Sequence, residues 1–355
     1  MPARDARSAG IPPSCGGHGL SPVKKKQPVA VRPSPTMADL AKLAGVSKIT
    51  ISRALADSPL VTLDTRERIQ ALARKHGYKL NVSARNLRLR RSHTVAVIVE
   101  MTPSSSRTMW DPYPLSLLGG ISQELTSAGY SVLLTTRQGA ANAAVQAADG
   151  VILLGQGVRQ DAVKLYDKMG LPMAVWGAEG DHDNHIVVGS DNRQGGISVA
   201  ERFLSIGRRR PVFIGNSDHP EMAQRLHGFV DELAGHGIKP LLLQRVDWTL
   251  DSGADAVRSL ASRKVHFDSI FACSDLLAMG AIRALVELGL SVPNDVSVVG
   301  YDDTPLGASF LPPLSTVRQN WQEGGVLLAR KVLALIQGQA VASQMLPTSL
   351  IVRAT

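Results

Sequence analysis

Two groups of residues in this chain have types and spacing suited to chemistry. The first lies in Thr36–Leu55, TMADLAKLAGVSKITISRAL. Leu40, Ala44, Val46, Ile51 and Ala54 supply apolar positions at helical spacing, Ala41 is small where two helices would cross, Gly45 can turn the chain, and Ser47 can cap the second helix. Such a pattern buries one face of a helix-turn-helix and leaves Lys48, Ile49, Thr50 and Arg53 on the face that would enter a DNA major groove. Lysine donates to guanine acceptors, whereas isoleucine can only pack on a methyl group or another apolar edge. An ordinary amphipathic helix pair would share part of this pattern.

The second group is scattered: Trp110, Trp176, Trp248 and Trp321, with Asp111, Arg225, Asp275 and Asp302 as charged candidates. Flat aromatic faces suit the C–H faces of a sugar ring or a nucleobase. Carboxylates accept from paired hydroxyls, and a guanidinium donates to ring or hydroxyl oxygens. Each has a structural alternative: packing for any one tryptophan, a salt bridge for Arg225 with Asp302, and a helix N-terminal position for Asp275. Catalysis has no visible constellation. GQGVRQ at Gly155–Gln160 starts like a dinucleotide loop but lacks the third glycine, GxSxG, HExxH and GxxxxGK[ST] do not occur, and the histidines have no ligand spacing. No enzyme activity, cofactor or metal is expected.

These groups need elements to carry them. A chain of 355 residues, 44% hydrophobic, can build a small module and two lobes. Its apolar runs, such as Val95–Val99, are far shorter than the roughly 20 residues of a membrane span. Cys15 and Cys273 are the only cysteines, and the leader has no apolar signal core, which points to a reducing cytoplasm. Charge is divided unevenly: residues 1–94 carry 18 Lys or Arg against 5 Asp or Glu, net +13, and the remaining residues 21 against 25, net −4. One end is built for a phosphate backbone.

Residues 1–35 read as a disordered basic leader, 36–80 as a helical headpiece, 81–93 as a basic connector, and 94–355 as apolar β-rich runs alternating with helices. That alternation predicts an α/β core with parallel sheets. Ligands of such cores sit at the carboxyl ends of strands, where the four tryptophans fall.

The segments DLAKLAGVSKITISRAL, VTLDTRERIQALARKHGY and NVSARNLRLRRS resemble the headpiece of the lactose repressor/galactose repressor (LacI/GalR) family, and VPNDVSVVGYDDTPLGASFLPPLSTVRQN resembles its core. The resemblance implies a small all-α helix-turn-helix headpiece and a two-lobed periplasmic-binding-protein-like core. Lobe one takes about 94–188 and 320–340, lobe two about 189–318 and 341–355. It makes the connector a hinge helix in the minor groove, with Leu87 as the wedge among Asn81, Ala84 and Arg85. Thr36 and Thr62 join Ser47 among the DNA-binding candidates. Ala56 departs from relatives that carry a polar residue there.

In the core, DPYPL resembles the family's Asn-Pro-aromatic loop, with Asp111 in place of the amide and Tyr113 as the aromatic. Arg225 matches an effector arginine and Asp302 an effector carboxylate, while Ser274 replaces an amide; Asp275 and Asp191 carry less weight. The expected function is a sequence-specific repressor, a homodimer on a palindromic double-stranded DNA operator, modulated by a small effector. A sugar or glucoside is the favoured effector, a purine-type or sugar-acid ligand the alternative. A periplasmic solute-binding protein would share the core without the headpiece. The sequence closes at Thr355 without a further heptad helix, which favours a dimer over a tetramer.

Overall fold

The computed structural model describes residues 35–78, 91–100, 112–139, 142–180 and 185–355. The leader up to residue 34 and most of the expected hinge lie outside the described residues, as do Asn81, Ala84, Arg85, Leu87, Trp110 and Asp111. The chain divides into two compact units, Met1–Val82 and Ser83–Thr355.

In the first unit, α1 (Met37–Ala44), α2 (Lys48–Leu55) and α3 (Leu63–Lys75) form around local start and stop signals. Thr36 and Asp39 make a reciprocal capping box, the Asp39 carboxylate accepting from the Thr36 N–H at 2.9 Å and the Thr36 hydroxyl accepting from the Asp39 N–H at 3.3 Å. Those Thr36 bonds hold the Asp39 carboxyl below the usual range. Gly45 ends α1 with φ 63°, a conformation open to glycine at no steric cost, and Ser47 caps α2 by accepting from the Thr50 N–H at 3.1 Å. Leu40, Ile51, Ala54 and Ile69 are fully buried in the small core. Each large aliphatic side chain there contributes about 2 kcal/mol.

The second unit holds two six-stranded sheets. Its elements are β1 (Thr94–Val99), α4 (Pro112–Ser127), β2 (Ser131–Thr136), α5 (Ala143–Gln146), β3 (Gly150–Leu154), α6 (Asp161–Asp167), β4 (Met173–Trp176), β5 (Ile186–Ser190), α7 (Asn192–Ser205), β6 (Pro211–Gly215), α8 (Pro220–Gly235), β7 (Leu241–Gln244), α9 (Leu250–Ser262), β8 (Ser269–Ala272), α10 (Asp275–Glu287), β9 (Ser297–Asp302), α11 (Pro305–Ala308), β10 (Ser315–Arg318), α12 (Trp321–Ile336), β11 (Gln344–Leu346) and β12 (Ser349–Ile351). The first sheet runs β11-β5-β4-β3-β1-β2, all parallel; the second runs β12-β10-β9-β8-β6-β7, parallel except for β12 against β10. Central strands such as Val95–Val99 and Gly150–Leu154 are apolar throughout because helices cover both sheet faces.

The chain passes between lobes near Asp191, at Gln319–Asn320 and at Pro347–Thr348. The expectation that 341–355 belongs to lobe two is corrected here: β11 pairs with β5 in lobe one, and only the segment from β12 onward returns. A three-residue edge strand with one buried side chain, Leu346, is too short to show a period. In lobe one α12 crosses α4 closely. A Cβ on Gly120 would lie 2.4 Å from the Gln322 carbonyl oxygen, and one on Gly325 would lie 2.2 Å from that of Leu117.

Candidate functional site

The headpiece exposes one face of α2. Lys48, Ile49 and Arg53 are exposed on α2, Ile49 to 61%, and the side chains of Lys48 and Arg53 make no hydrogen bond or ion pair among the described residues. The Thr50 hydroxyl lies 2.9 Å from that of Ser47, so both serve the cap. The Thr62 hydroxyl donates to that of Thr65 at 2.9 Å at the start of α3. Arg66 holds the α2–α3 loop by donating to the Ser58 and Val61 carbonyls, and Gln70 ties α3 to Asp57 at 2.8 Å.

The core contains a narrow cleft cavity of about 60 Å³. Its walls are the carboxyl ends of parallel strands from both lobes. Lobe one gives Glu100 after β1, Tyr113 on α4, Gly155–Gly157 after β3 and Trp176 at the end of β4. Lobe two gives His219–Met222 without Pro220 at the start of α8, Arg225 on α8, Trp248, Cys273 and Ser274 after β8, and Asp302 ending β9, with Gln319 at the crossover. Across the cleft the Arg159 N–H donates to the Asp218 carbonyl at 3.0 Å, and Gln224 Nε2 donates to the Glu179 carbonyl at 3.0 Å.

Arg225 is buried and locked. Nε donates to Asn192 Oδ1 at 2.8 Å, Nη1 donates to the Cys273 carbonyl at 2.7 Å, and the guanidinium lies 3.5 Å from the centre of the Tyr301 ring. The expected partner of its bridge, Asp302, accepts instead from Gln319 Nε2 at 2.7 Å. Asp302 and Asp303 both have positive φ, 127° and 57°, a costly backbone for side-chain-bearing residues. Arg318 and Arg353 hold this corner through the Asp303 carboxylate. Burial pushes that carboxyl up, and the two arginines outweigh burial and keep it below its ordinary value.

Trp248 packs edge-on against His219 with ring centres 4.4 Å apart, and Trp176 lies against α12 where a Cβ on Gly324 would meet its ring at 2.2 Å. Tyr113 meets Trp321 edge-on at 6.0 Å. Trp321 itself opens on an adjoining cavity with Asp302, Asp303 and Arg318, and its Nε1 is buried without a hydrogen-bond partner among the described residues.

The structure thus gathers Tyr113, Trp176, Arg225, Trp248, Ser274 and Asp302 around one cavity and moves three candidates elsewhere. Trp321 lines the adjoining space. Asp191 caps α7, accepting from the Gln194 N–H at 2.9 Å. Asp275 is fully buried behind the cavity wall, its oxygens occupied by Thr304 and Thr316. Both aspartates begin helices after strand ends, which gives them a cleft-like sequence position and a capping or bracing role. GQGVRQ is a structural turn: the Gln156 amide exchanges two 2.9 Å bonds with the backbone of Ala178.

Glu100 and Glu221 were not among the sequence candidates. Glu100 carried a readable signal, a single charge ending an apolar parallel strand. Its Oε1 accepts from Arg137 at 2.8 Å, and Arg137 also meets Asp161 at 2.9 Å. Burial pushes the Glu100 carboxyl up, against the pull of Arg137. No group of three or more His, Cys, Asp or Glu suited to a metal occurs among the described residues. No helix among them is long and apolar enough to cross a membrane.

Comparison with known proteins agrees with this anatomy at both ends. Residues 36–81 match the family described as bacterial regulatory proteins, lacI family, and residues 200–355 match a periplasmic binding protein-like domain. The HTH-type transcriptional regulator CelR of Thermobifida fusca is 33% identical over 320 residues, covering 87% of this chain and 94% of that protein. The HTH-type transcriptional repressor CytR of Escherichia coli K12 is 30% identical over 343 residues, covering 93% and 97%. Among solved structures, the lac repressor dimer bound to operator and the anti-inducer ONPF superposes with a TM-score of 0.81 at 26% identity, covering 90% of this chain and 98% of that one. A CelR–cellobiose complex gives 0.66 at 29% identity, covering 90% and 99%. With a headpiece, a two-lobed core and relatives of this extent, the chain belongs to the LacI family of bacterial regulatory proteins.

Proposed function

We propose that this DNA-binding transcriptional repressor acts in the cytoplasm as a homodimer on a palindromic operator, and that a sugar or glucoside in the core cleft sets its operator affinity. The observation that carries the effector reading is the cavity wall itself, where Trp176 and Trp248 come from opposite lobes and flank the polar groups Arg225 and Asp302. Aromatic faces take the apolar side of a sugar ring while carboxylate and guanidinium take its hydroxyls. Arg225 offers Nη2, since Nε and Nη1 are held by the protein. One relative has been solved with cellobiose and a second family member with ribose, which supports the same class.

In the headpiece, Lys48, Ile49, Thr50 and Arg53 read the major groove, and Thr36, Ser47 and Thr62 bring three helix N-termini to phosphate. Asn81, Ala84, Arg85 and Leu87 are assigned to minor-groove binding, and Trp110 and Asp111 to effector binding; all six lie outside the described residues. A ligand that favours one arrangement of the lobes shifts the population presenting both hinges to DNA.

The test is a panel of sugars, β-glucosides, sugar acids and purines followed by tryptophan fluorescence, thermal shift and operator binding. A neutral sugar or glucoside that binds and changes operator affinity is the expected result. A response confined to purines or to sugar acids overturns the sugar reading.

A further inference from the structure

Glu100 directly follows β1 with its side chain only 4% exposed, and it lines the cavity beside Gly155 and Tyr113. A single oxygen of its carboxylate is accounted for: Oε1 accepts from Arg137, while Oε2 is buried and has no hydrogen-bond partner among the described residues. An acceptor left in that state costs about 1–3 kcal/mol, more for a charged group, so its retention at a cavity wall calls for a ligand donor. The charges around it point the same way. Among the described residues the cavity wall carries the carboxylates of Glu100, Glu221 and Asp302, with the Arg225 guanidinium and the His219 imidazole as its basic groups. Arg225 has Nε and Nη1 already bonded to Asn192 and Cys273, which leaves Nη2 alone to offset the three carboxylates.

We infer that Glu100 is a specificity-determining residue of the cleft: its Oε2 accepts from a hydroxyl of an uncharged polyhydroxy ligand and, with Glu221 and Asp302, turns away ligands that carry a carboxylate or a phosphate. This rests on the sugar reading above and narrows it to neutral sugars. Glycine at position 155 leaves room for the arrangement, because a Cβ there would lie 3.3 Å from the Glu100 Cβ. Arg137 is a positioning residue, donating to Glu100 Oε1 while it also meets Asp161.

The experiment uses the full chain, with glucose, galactose, ribose and cellobiose titrated calorimetrically against glucuronate, galacturonate and glucose 6-phosphate. The wild type is expected to bind at least one neutral sugar and to bind its acidic counterpart at least tenfold more weakly. Glu100→Gln keeps the size and the Arg137 contact. It should weaken the neutral sugar by roughly ten- to hundredfold and shrink the gap to the acidic one. Arg137→Gln separates ligand contact from a purely structural role: it should keep the preference for the neutral sugar even where it lowers the melting temperature. Acidic and neutral sugars binding the wild type equally, or Glu100→Gln leaving both affinities unchanged, overturns the role of Glu100 while the sugar reading stands. If none of these sugars binds the wild type, the sugar reading and this inference fall together.

Discussion

Asp275 Oδ2 accepts both the backbone N–H of Thr304 at 2.7 Å and the Thr304 hydroxyl at 2.8 Å, while its Oδ1 accepts from the Thr316 hydroxyl at 2.6 Å. Thr304 follows directly on the positive-φ pair Asp302 and Asp303. The carboxylate at the start of α10 therefore anchors the corner that delivers Asp302 to the cavity, without lining the cavity itself. Gly300 and Gly307 leave the space it needs, since a Cβ on either would lie 2.5 or 3.0 Å from its oxygens.

Asp275→Ala should accordingly strike stability and ligand binding together. It leaves the Thr304 N–H and the Thr316 hydroxyl facing a void, and such a loss costs about 2–4 kcal/mol. Urea unfolding should show that drop, and ligand affinity should fall with it. A variant as stable as wild type would contradict the anchoring role.

The same group gives a pH signature. Burial pushes the Asp275 carboxyl up to about 6 from 3.8, against the opposing pull of its Thr316 and Thr304 donors. A folded-state value above the unfolded one means that the native state holds the extra proton between those limits. The resulting stabilisation is complete below the unfolded value and is lost as pH rises through about 6. Asp275→Asn removes the titration. The unfolding free energy of wild type relative to this variant should fall between pH 4 and pH 7, by on the order of 3 kcal/mol at most. A difference flat across that window, or one rising with pH, would contradict the assignment.

Arg225 is held by geometry that lysine cannot copy: two directed hydrogen bonds from different nitrogens, with the guanidinium carbon over the Tyr301 ring. Arg225→Lys should lower effector affinity by at least roughly tenfold and destabilise the core by about 1–3 kcal/mol. Calorimetry beside thermal unfolding separates the two effects. A variant that binds the effector as wild type does would remove Arg225 from the binding set.

How much of this was legible depended on range. The headpiece is written locally: Thr36, Gly45 and Ser47 act within three residues of where they stand, so the sequence pattern alone places its helices. The apolar strands of the two lobes were equally plain. The edge strand β11 was not, because its partner β5 lies more than 150 residues away and its own three residues carry no period. Among the charged candidates, local motif could put Asp275 and Asp302 near strand ends. It could not tell which carboxylate faces the cavity, since Asp275 is claimed by Thr316, 41 residues further on. Glu100 did carry a signal, a lone charge just after the apolar run Thr94–Val99, but only the fold brings Tyr113 and Gly155 beside it and sets it in a cavity wall.

The reading face and the hinge should fail in different ways. Lys48 and Ile49 stand exposed on α2, and the Lys48 ammonium has no protein partner among the described residues. Lys48→Ala should cost about 1–3 kcal/mol at the base step it reads and relax the preference there. Ile49→Ala should shift preference at an apolar-edged base without altering the salt slope, because no phosphate contact is lost. Leu87 lies outside the described residues, but its proposed wedge makes a separate demand. Leu87→Ala should weaken binding to an intact palindrome while sparing the salt-dependent binding to scrambled duplex, since unstacking is needed only where the DNA is bent. Fluorescence anisotropy against operator and scrambled DNA, each over a range of salt, distinguishes the three variants. Equal loss on both DNAs for Leu87→Ala would mean that the hinge contributes charge and backbone contacts rather than an inserted side chain.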